Sequence, residues 1–197
     1  MCRTPRCGAI HKGSLFEYRC LRCAIHAFPD RDFPQKRCYK TKERLVVDKI
    51  CAMYDFTWRL DKRVEGGCTL LRPDLFCDFG SHTMIVEIDE NSHRSYPQTC
   101  EIARLNEIAE DLAVECDGHK TYRPIVVLRF NPDAYTDEIG RRVPSCFKLL
   151  GNGHLVVADA AVWQARLDAL LARIRAHVDT PPQNLLEIEH LFYDHCA

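Results

Sequence analysis

The stretch RPDLFCDFGSHTMIVEIDENSH, residues 72–93, predicts two β-strands joined by a tight turn. Gly80-Ser81 is a two-residue hairpin turn, because Gly supplies the positive φ that the first turn position needs. The register set by this turn places Asp74 opposite Glu87. The stretch is also rich in acids: Asp74, Asp78, Glu87, Asp89 and Glu90.

Side chains alternate between the two faces of a strand, so Asp74 and Glu87 share a face with Asp89. The opposite face is apolar: Leu75, Cys77, Phe79, Met84, Val86 and Ile88. Like charges that face each other in a hairpin are destabilising unless a cation lies between them. Mg²⁺ takes one or two protein carboxylates together with phosphate oxygens. The pattern therefore favours a metal site over the alternative, an edge hairpin with a solvated acidic face.

The whole chain has 197 residues and is 46% apolar, enough for one sizeable core and a small appendage. Its net charge of -1 gives no bulk signal for nucleic-acid binding, so such binding would need local patches. The polar N-terminus lacks an apolar signal region, and no run reaches membrane-spanning length. We expect a soluble intracellular protein of the nucleus or cytoplasm (of a host cell, if viral) with no membrane partner.

Five of the twelve cysteines lie in the first 40 residues: Cys2, Cys7, Cys20, Cys23 and Cys38. In an intracellular chain, close Cys pairs indicate metal binding more often than disulfides. The two pairs Cys2/Cys7 and Cys20/Cys23 have the spacing of a tetrahedral Zn²⁺ site, with His26 as an alternative ligand to Cys20. We predict a zinc-binding module and linker at residues 1–37. The alternative is a loose tail with reduced thiols.

Hydrophobic periodicity predicts the core elements that surround the hairpin. In chain order they are a helix that begins near residues 40–42, a strand at 56–63, the hairpin, a helix at 99–116 and a buried strand at 125–130. The first helix carries Glu43 on the same stripe as Val46 and Val47. Glu43 is either a charge partner for the helix N-terminus or an acid that points into a site.

Three further elements are predicted toward the C-terminus. They are a short strand at 154–159, a helix at 160–178 and a last helix near 184–195. The helix at 160–178 is amphipathic, and we expect its apolar stripe to pack in the core: Trp163, Leu167, Leu170, Leu171 and Ile174. These C-terminal helices (about 140–197) complete a predicted domain at residues 38–197.

The predicted αβββαβ order, with Pro73-Asp74 before one strand and Glu87-Ile88-Asp89 closing the next, resembles the PD-(D/E)XK nuclease superfamily. The chain is most similar to predicted nucleases of large DNA viruses and algae, including their short N-terminal zinc repeats. The resemblance covers nearly the whole chain through these stretches: RCLRCAIHAFPD (19–30), YKTKE (39–43), RPDLFCDFG (72–80), VEIDENSH (86–93), RPIVVLRFNPDAY (123–135) and LFYDHCA (191–197). It implies an α/β, restriction-endonuclease-like αβββαβ core with a mixed central sheet, a small zinc module and a C-terminal helical extension.

The resemblance also implies a catalytic metal, Mg²⁺ or Mn²⁺, held by Asp74 and Glu87 with Glu43 as an outer ligand. Such an ion polarises the scissile phosphate and generates hydroxide for in-line attack. Where the family has a Lys that stabilises charge on the phosphate, this chain has Asp89. Asp89 is suited to bind a second metal ion or to accept a proton.

Other side chains are candidates to replace the missing Lys. His93 has the pKa range of a general base, Lys62 reaches across from the neighbouring strand and Arg104 projects from the following helix. Alternatively, His93 is an ordinary surface residue, Lys62 is solvated and Arg104 forms a salt bridge on its helix. Arg129 and Asn131 are candidates to bind backbone phosphate, although Arg129 is equally suited to pair with the acids.

We therefore expect a hydrolase, a metal-dependent endonuclease that cleaves phosphodiester bonds, with DNA the favoured partner. The main alternative is a catalytically impaired nuclease-fold module that only binds nucleic acid. A third hypothesis is a zinc-organised protein-interaction domain whose acids are solvated. The sequence leaves homodimer formation and the choice of DNA or RNA open.

Overall fold

The structure is a computed structural model that describes residues 3, 16–28, 30–31, 41–60, 73–90, 106–108, 110, 114–116, 119–151 and 154–194. The chain divides into two compact units. The first comprises residues 1–41 and 149–156, and the second comprises residues 42–148 and 157–197. No described helix combines the length and the apolar character that a membrane span requires.

The described elements are mixed α and β. The helices are α1 (Leu21–Ala27), α2 (Thr41–Met53) and α3 (Ala160–Asp179). The strands are β1 (Arg59–Leu60), β2 (Leu75–Asp78), β3 (Thr83–Ile88), β4 (Val114–Cys116), β5 (His119–Thr121), β6 (Ile125–Phe130), β7 (Tyr135–Thr136), β8 (Arg142–Val143), β9 (Phe147–Leu149), β10 (Leu155–Val157) and β11 (Leu186–Leu191).

A small apolar cluster organises the first unit. Phe16 and Ala24 are buried, and partly buried apolar side chains pack against them: Leu21, Ile25 and Phe28. The guanidinium groups of Arg19 and Arg31 lie over the Phe28 ring, 5.2 and 5.9 Å from its centroid. Among the residues described in this unit the buried apolar cluster is small, and small cores of this size are commonly supplemented by a metal or disulfides.

A five-stranded mixed sheet forms the centre of the second unit, in the order β1-β2-β3-β6-β11. The pairs β1/β2 and β2/β3 are antiparallel, whereas β6 is parallel to both β3 and β11. The mixed central sheet predicted from the sequence is thus present, and so is the buried strand at 125–130. The parallel pairs bring the carboxyl ends of β3, β6 and β11 to the same edge of the sheet.

The hairpin of β2 and β3 has the predicted register. Leu75 pairs with Val86 and Asp78 with Thr83, and Gly80 adopts a φ of 80° in the turn. The Asp78 carboxylate accepts a hydrogen bond from the Gly80 N–H at 2.8 Å, which fixes the turn.

Both faces of β3 and β6 are buried, which corrects the expectation of one apolar and one acidic face. Apolar side chains of β2, β3 and β6 pack with a residue of the intervening segment on the face that also carries Asp74 and Glu87: Phe76, Ile85, Ile108, Ile125 and Val127. Strands with parallel neighbours are covered on both faces and therefore read as continuous apolar runs. The acids are confined to the strand ends.

The helix predicted at 99–116 extends too far. Of the residues described there, 106–108 and 110 are helical, whereas Val114–Cys116 is a strand antiparallel to His119–Thr121. The reason is local: the two strands flank Asp117-Gly118, which is a strong two-residue hairpin signal in the sequence.

The last predicted helix, near 184–195, is wrong, because Leu186–Leu191 forms β11 parallel to β6. Its residues alternate between more exposed and more covered along the strand, the period of β structure. The backbone of β11 forms its hydrogen bonds with the open edge of β6. This tertiary pairing overrides the helix preference of Leu and Glu. The helix predicted at 160–178 is confirmed as α3, with Asp159 as its N-cap.

Candidate metal-binding and catalytic site

A row of polar side chains crosses the sheet near the carboxyl ends of its parallel strands. Glu87 of β3 pairs in register with Arg129 of β6, and Arg129 pairs with His190 of β11. Residues paired in this way lie side by side on one face, about 4.8 Å apart from strand to strand. Glu87 and Arg129 are buried and His190 is exposed, so the row runs from the interior to the sheet edge.

Asp74 lies next to this row, at the residue before β2. Its Oδ2 accepts a hydrogen bond from the Ile88 N–H at 2.8 Å, and the hairpin register continues to Asp74 opposite Glu87. Glu87 is only 3% exposed and Asp74 is half-buried. Two carboxylates held together on a rigid hairpin fit the one or two protein ligands that Mg²⁺ uses beside water and phosphate oxygens.

Asp89 has different partners. Its Oδ2 lies 2.6 Å from Arg129 Nε and also accepts a hydrogen bond from the Tyr193 hydroxyl. Asp89 is fully buried, and its N–H donates to the Phe130 carbonyl at 2.8 Å. A buried carboxylate that already accepts two side-chain donors fits the orientation of Arg129 better than coordination of an ion.

The sequence did not identify His190 and Tyr193, because their segment was interpreted as a helix. Their rings are in edge-to-face contact, with centroids 4.8 Å apart and an interplanar angle of 77°. The two-residue alternation of LEIEHL would have indicated a strand, and a strand beside β6 aligns His190 with Arg129.

Asn131, a predicted phosphate contact, has internal partners. It is fully buried, and its Nδ2 donates to the Phe192 carbonyl at 2.8 Å. Its Oδ1 accepts a hydrogen bond from the Asp133 N–H at 2.9 Å. These bonds fix the segment after β6 against the segment after β11.

A second charged cluster lies at the start of α2. Lys42 Nζ is 2.8 Å from both carboxylate oxygens of Asp133 and 3.2 Å from Glu90 Oε2. Burial alone would lower the pKa of Lys42, but the hydrogen bond with Asp133 and the charge of Glu90 raise it above its ordinary value. Glu43 is the next residue of the helix and is half-buried. Sequence reasoning missed Lys42, because its partners are distant in the chain.

Several predicted site residues lie outside the described part of the chain: Lys62, His93, Arg104, Cys2 and Cys7. Cys20 is the N-cap residue of α1 and Cys23 lies within the helix, and both are half-buried. The His26 backbone belongs to α1, but its side chain is not described. Within the described ranges, no three His, Cys, Asp or Glu side chains form a group that could hold a metal ion.

No protein-family model, curated protein or solved structure matches the chain in comparisons with known proteins. The function must therefore be argued from the chemistry of the site.

Proposed function

We propose that this protein is a metal-dependent nuclease that hydrolyses phosphodiester bonds, with DNA as the favoured substrate. The observation that carries the proposal is the position of Asp74, one residue beyond the Leu75–Val86 pair, where its side chain bonds to the Ile88 N–H. The register thus continues toward Glu87, the partner of Arg129 in the mixed sheet. The strand order and the PD-(D/E)XK resemblance of these residues support a restriction-endonuclease-like core.

Asp74 and Glu87 would hold the catalytic Mg²⁺ or Mn²⁺. When bound, such an ion polarises the scissile phosphate and lowers the pKa of its water. Glu43 stays proposed as an outer ligand, and Lys62, His93 and Arg104 as further contributors.

Arg129 supplies the positive charge that the family obtains from Lys. Asp89 holds its guanidinium in place, and the Tyr193 hydroxyl in turn donates to Asp89, so this charge is oriented before the substrate arrives. Charge that develops on the phosphate is then stabilised without rearrangement of the site. Asp89 is thus a positioning residue in this proposal.

His190 is suited to proton transfer at the exposed end of the row. Imidazole titrates near neutral pH, and the register places His190 beside Arg129. A proton donated by His190 to the departing oxygen would balance the proton that the attacking water loses.

A structural Zn²⁺ site in the first unit belongs to the proposal as well. Cys2, Cys7, Cys20 and Cys23 are its proposed ligands, with His26 as the alternative. Its function would be to stabilise a module with a very small apolar core.

The second candidate function is a module that binds nucleic acid without cleaving it. It is favoured by the Asp89–Arg129 pair, because a buried ion pair at the position of the family Lys could be purely structural.

A cleavage assay separates the two. Purified protein is incubated with supercoiled plasmid, single-stranded DNA and RNA of matched sequence, with Mg²⁺, Mn²⁺ or no added metal. We expect cleavage of DNA only when metal is added. Binding of all the substrates without cleavage under any metal condition would support the binding module instead.

A further inference from the structure

An open cavity of about 390 Å³ lies against the segment that follows β11. Its lining, among the described residues, consists of Tyr135, Asp137, Glu138, Ile139 and Phe192. Phe192 is followed directly by Tyr193, the residue whose hydroxyl contacts Asp89. The volume falls within the range of small-molecule sites.

The backbone at Phe192 is strained, with a φ of 66° in the left-handed region. The Asn131 side chain holds this conformation through its 2.8 Å bond to the Phe192 carbonyl, and the Asn131 N–H donates to the Leu191 carbonyl at 3.1 Å. On the other side, Asp194 accepts the Thr136 N–H at 2.6 Å. Strain of this kind persists where surrounding bonds enforce it, and it is concentrated at functional sites. With this backbone conformation, the ring of Phe192 lines the cavity, and the hydroxyl of the next residue, Tyr193, contacts the Asp89–Arg129 ion pair.

The aromatic wall of the cavity is rigid. The Tyr135 and Phe192 ring centroids are 5.9 Å apart, and the Arg166 guanidinium lies 4.9 and 5.2 Å from them. Arg166 is 3% exposed and donates to the carbonyls of Asp133 and Pro144 at 2.8 and 2.7 Å. Two ring surfaces are therefore fixed from behind by a buried cation.

The charges around the cavity select the kind of occupant. Two acidic residues, Asp137 and Glu138, line the cavity and disfavour a phosphate, and the Asp137 carboxylate also pairs with Arg141 at 3.1 Å. Arg166 lies against the same two rings, which disfavours a cationic ligand that would need their negative faces. The suitable occupant is flat, uncharged and rich in N–H donors.

We propose that this cavity binds an unstacked nucleobase of the substrate strand, next to the phosphate that is cleaved. The proposal rests on the proposed action on nucleic acid and specifies its substrate as single-stranded or locally unpaired. Bases stack on aromatic side chains with little regard to sequence, while the carboxylates accept hydrogen bonds from amino groups. Adenine, cytosine and guanine carry amino groups and thymine does not, so thymine is the weakest occupant.

The test compares two fluorescently labelled strands of eight nucleotides, one of adenines and one fully abasic with the same phosphates. Fluorescence anisotropy measures their affinity in buffer without Mg²⁺ or Mn²⁺, so that cleavage does not interfere. The wild type should bind the adenine strand about tenfold more tightly, the effect of a stacked base. Tyr135→Ala should abolish the difference and Tyr135→Phe should keep it.

A second variant tests the cavity independently, in case Tyr135→Ala impairs folding. Ile139 is 80% exposed, so Ile139→Ser removes an apolar wall of the cavity without a loss of packing. It should reduce the preference for adenine severalfold. Leu185→Ser is the matched control, because Leu185 is 64% exposed and does not line the cavity, and its preference should equal that of the wild type.

Equal affinities of the wild type for the adenine and abasic strands would overturn the proposal. So would displacement of the adenine strand by a trimethyllysine peptide at a lower concentration than adenosine monophosphate, since the cavity would then be a cation site. Cleavage is scored separately with added metal. Base-dependent binding without cleavage would contradict only the nuclease, whereas cleavage without base dependence would contradict only the cavity.

Discussion

For Asp89, the sequence predicts the face of the sheet on which the residue lies but not the side chains that it contacts. The hairpin register predicted that Asp89 shares a face with Asp74 and Glu87, and it depends only on a local turn. The partners of Asp89 could not be predicted, because Arg129 and Tyr193 are 40 and 104 residues away in the chain. Periodicity assigns a residue to a face but gives no distances between strands that are remote in sequence.

The buried ion pair leads to a stability prediction. Asp89→Asn should lower the free energy of unfolding by about 3–5 kcal/mol, the loss typical when one partner of a buried ion pair is removed. Asp89→Lys should be at least as harmful, since it places a second cation beside Arg129. Urea unfolding measures both variants.

The matched control for Asp89→Asn is Asp78→Asn. Asp78 also pairs with an Arg, Arg123 at 2.8 Å, but its side chain is 43% exposed, so we expect a change of about 1 kcal/mol or less. Similar losses for Asp78→Asn and Asp89→Asn would refute the importance of the buried pair.

Among the elements, most local signals were interpreted correctly, although the local Asp117-Gly118 turn was missed, and the failure at β11 came from long-range strand pairing. The Gly80-Ser81 hairpin, the helix α2, the buried strand β6 and the helix α3 follow from turn chemistry and apolar periodicity. The strand β11 does not, because its conformation depends on the open edge of β6, where Leu186 pairs with Ile125, a residue far earlier in the chain. The same strand supplies His190, so the misassigned element also concealed part of the candidate site.

The contacts that bind β11 to α3 are expected to depend on pH. Glu189 accepts a 2.7 Å hydrogen bond from Arg173 and lies 2.7 Å from His177 Nε2. The bond with Arg173, and then that with His177, lower the pKa of Glu189 below its ordinary value. Its contribution to stability is therefore complete above a pH of about 4.3, the value in an unfolded chain, and is lost as the pH falls through the lower folded pKa.

Glu189→Gln should accordingly reduce stability at pH 7 and flatten its decline below about pH 4.3. Glu187→Gln is the control, because an amide oxygen can still accept the Gln183 and Asn184 N–H bonds that Glu187 accepts. Urea unfolding at pH 7, 5 and 3 gives the comparison. Parallel pH curves for wild type and Glu189→Gln would show that this contact does not contribute.

At the scale of the whole molecule, composition predicted one sizeable core with a small appendage, and the chain divides into a larger and a smaller unit. The fold of the larger unit was predictable as mixed α/β with a mixed sheet. The zinc site predicted in the smaller unit rests on the sequence for Cys2 and Cys7, because both lie outside the described residues.

Elemental analysis tests the zinc prediction. Protein purified without chelators should contain about one Zn²⁺ per chain, as expected of a structural site. Cys23→Ser should lose the zinc, because Cys23 belongs to both predicted ligand sets. Cys51→Ser should retain it, since Cys51 is an exposed thiol of α2 outside those sets. Zinc-free wild-type protein would rule out the site.

The central claim is that Asp74 and Glu87 hold a catalytic metal ion. Single-turnover cleavage of single-stranded DNA with Mn²⁺ tests it most directly in three proteins: wild type, Asp74→Asn and Asp78→Asn, an aspartate of the same hairpin outside the proposed site. We predict that Asp74→Asn cleaves roughly a hundredfold or more slowly than wild type, the loss expected when a group that stabilises the transition state is removed. Asp78→Asn should cleave at nearly the wild-type rate. Cleavage by Asp74→Asn at the wild-type rate would contradict the assignment of this site.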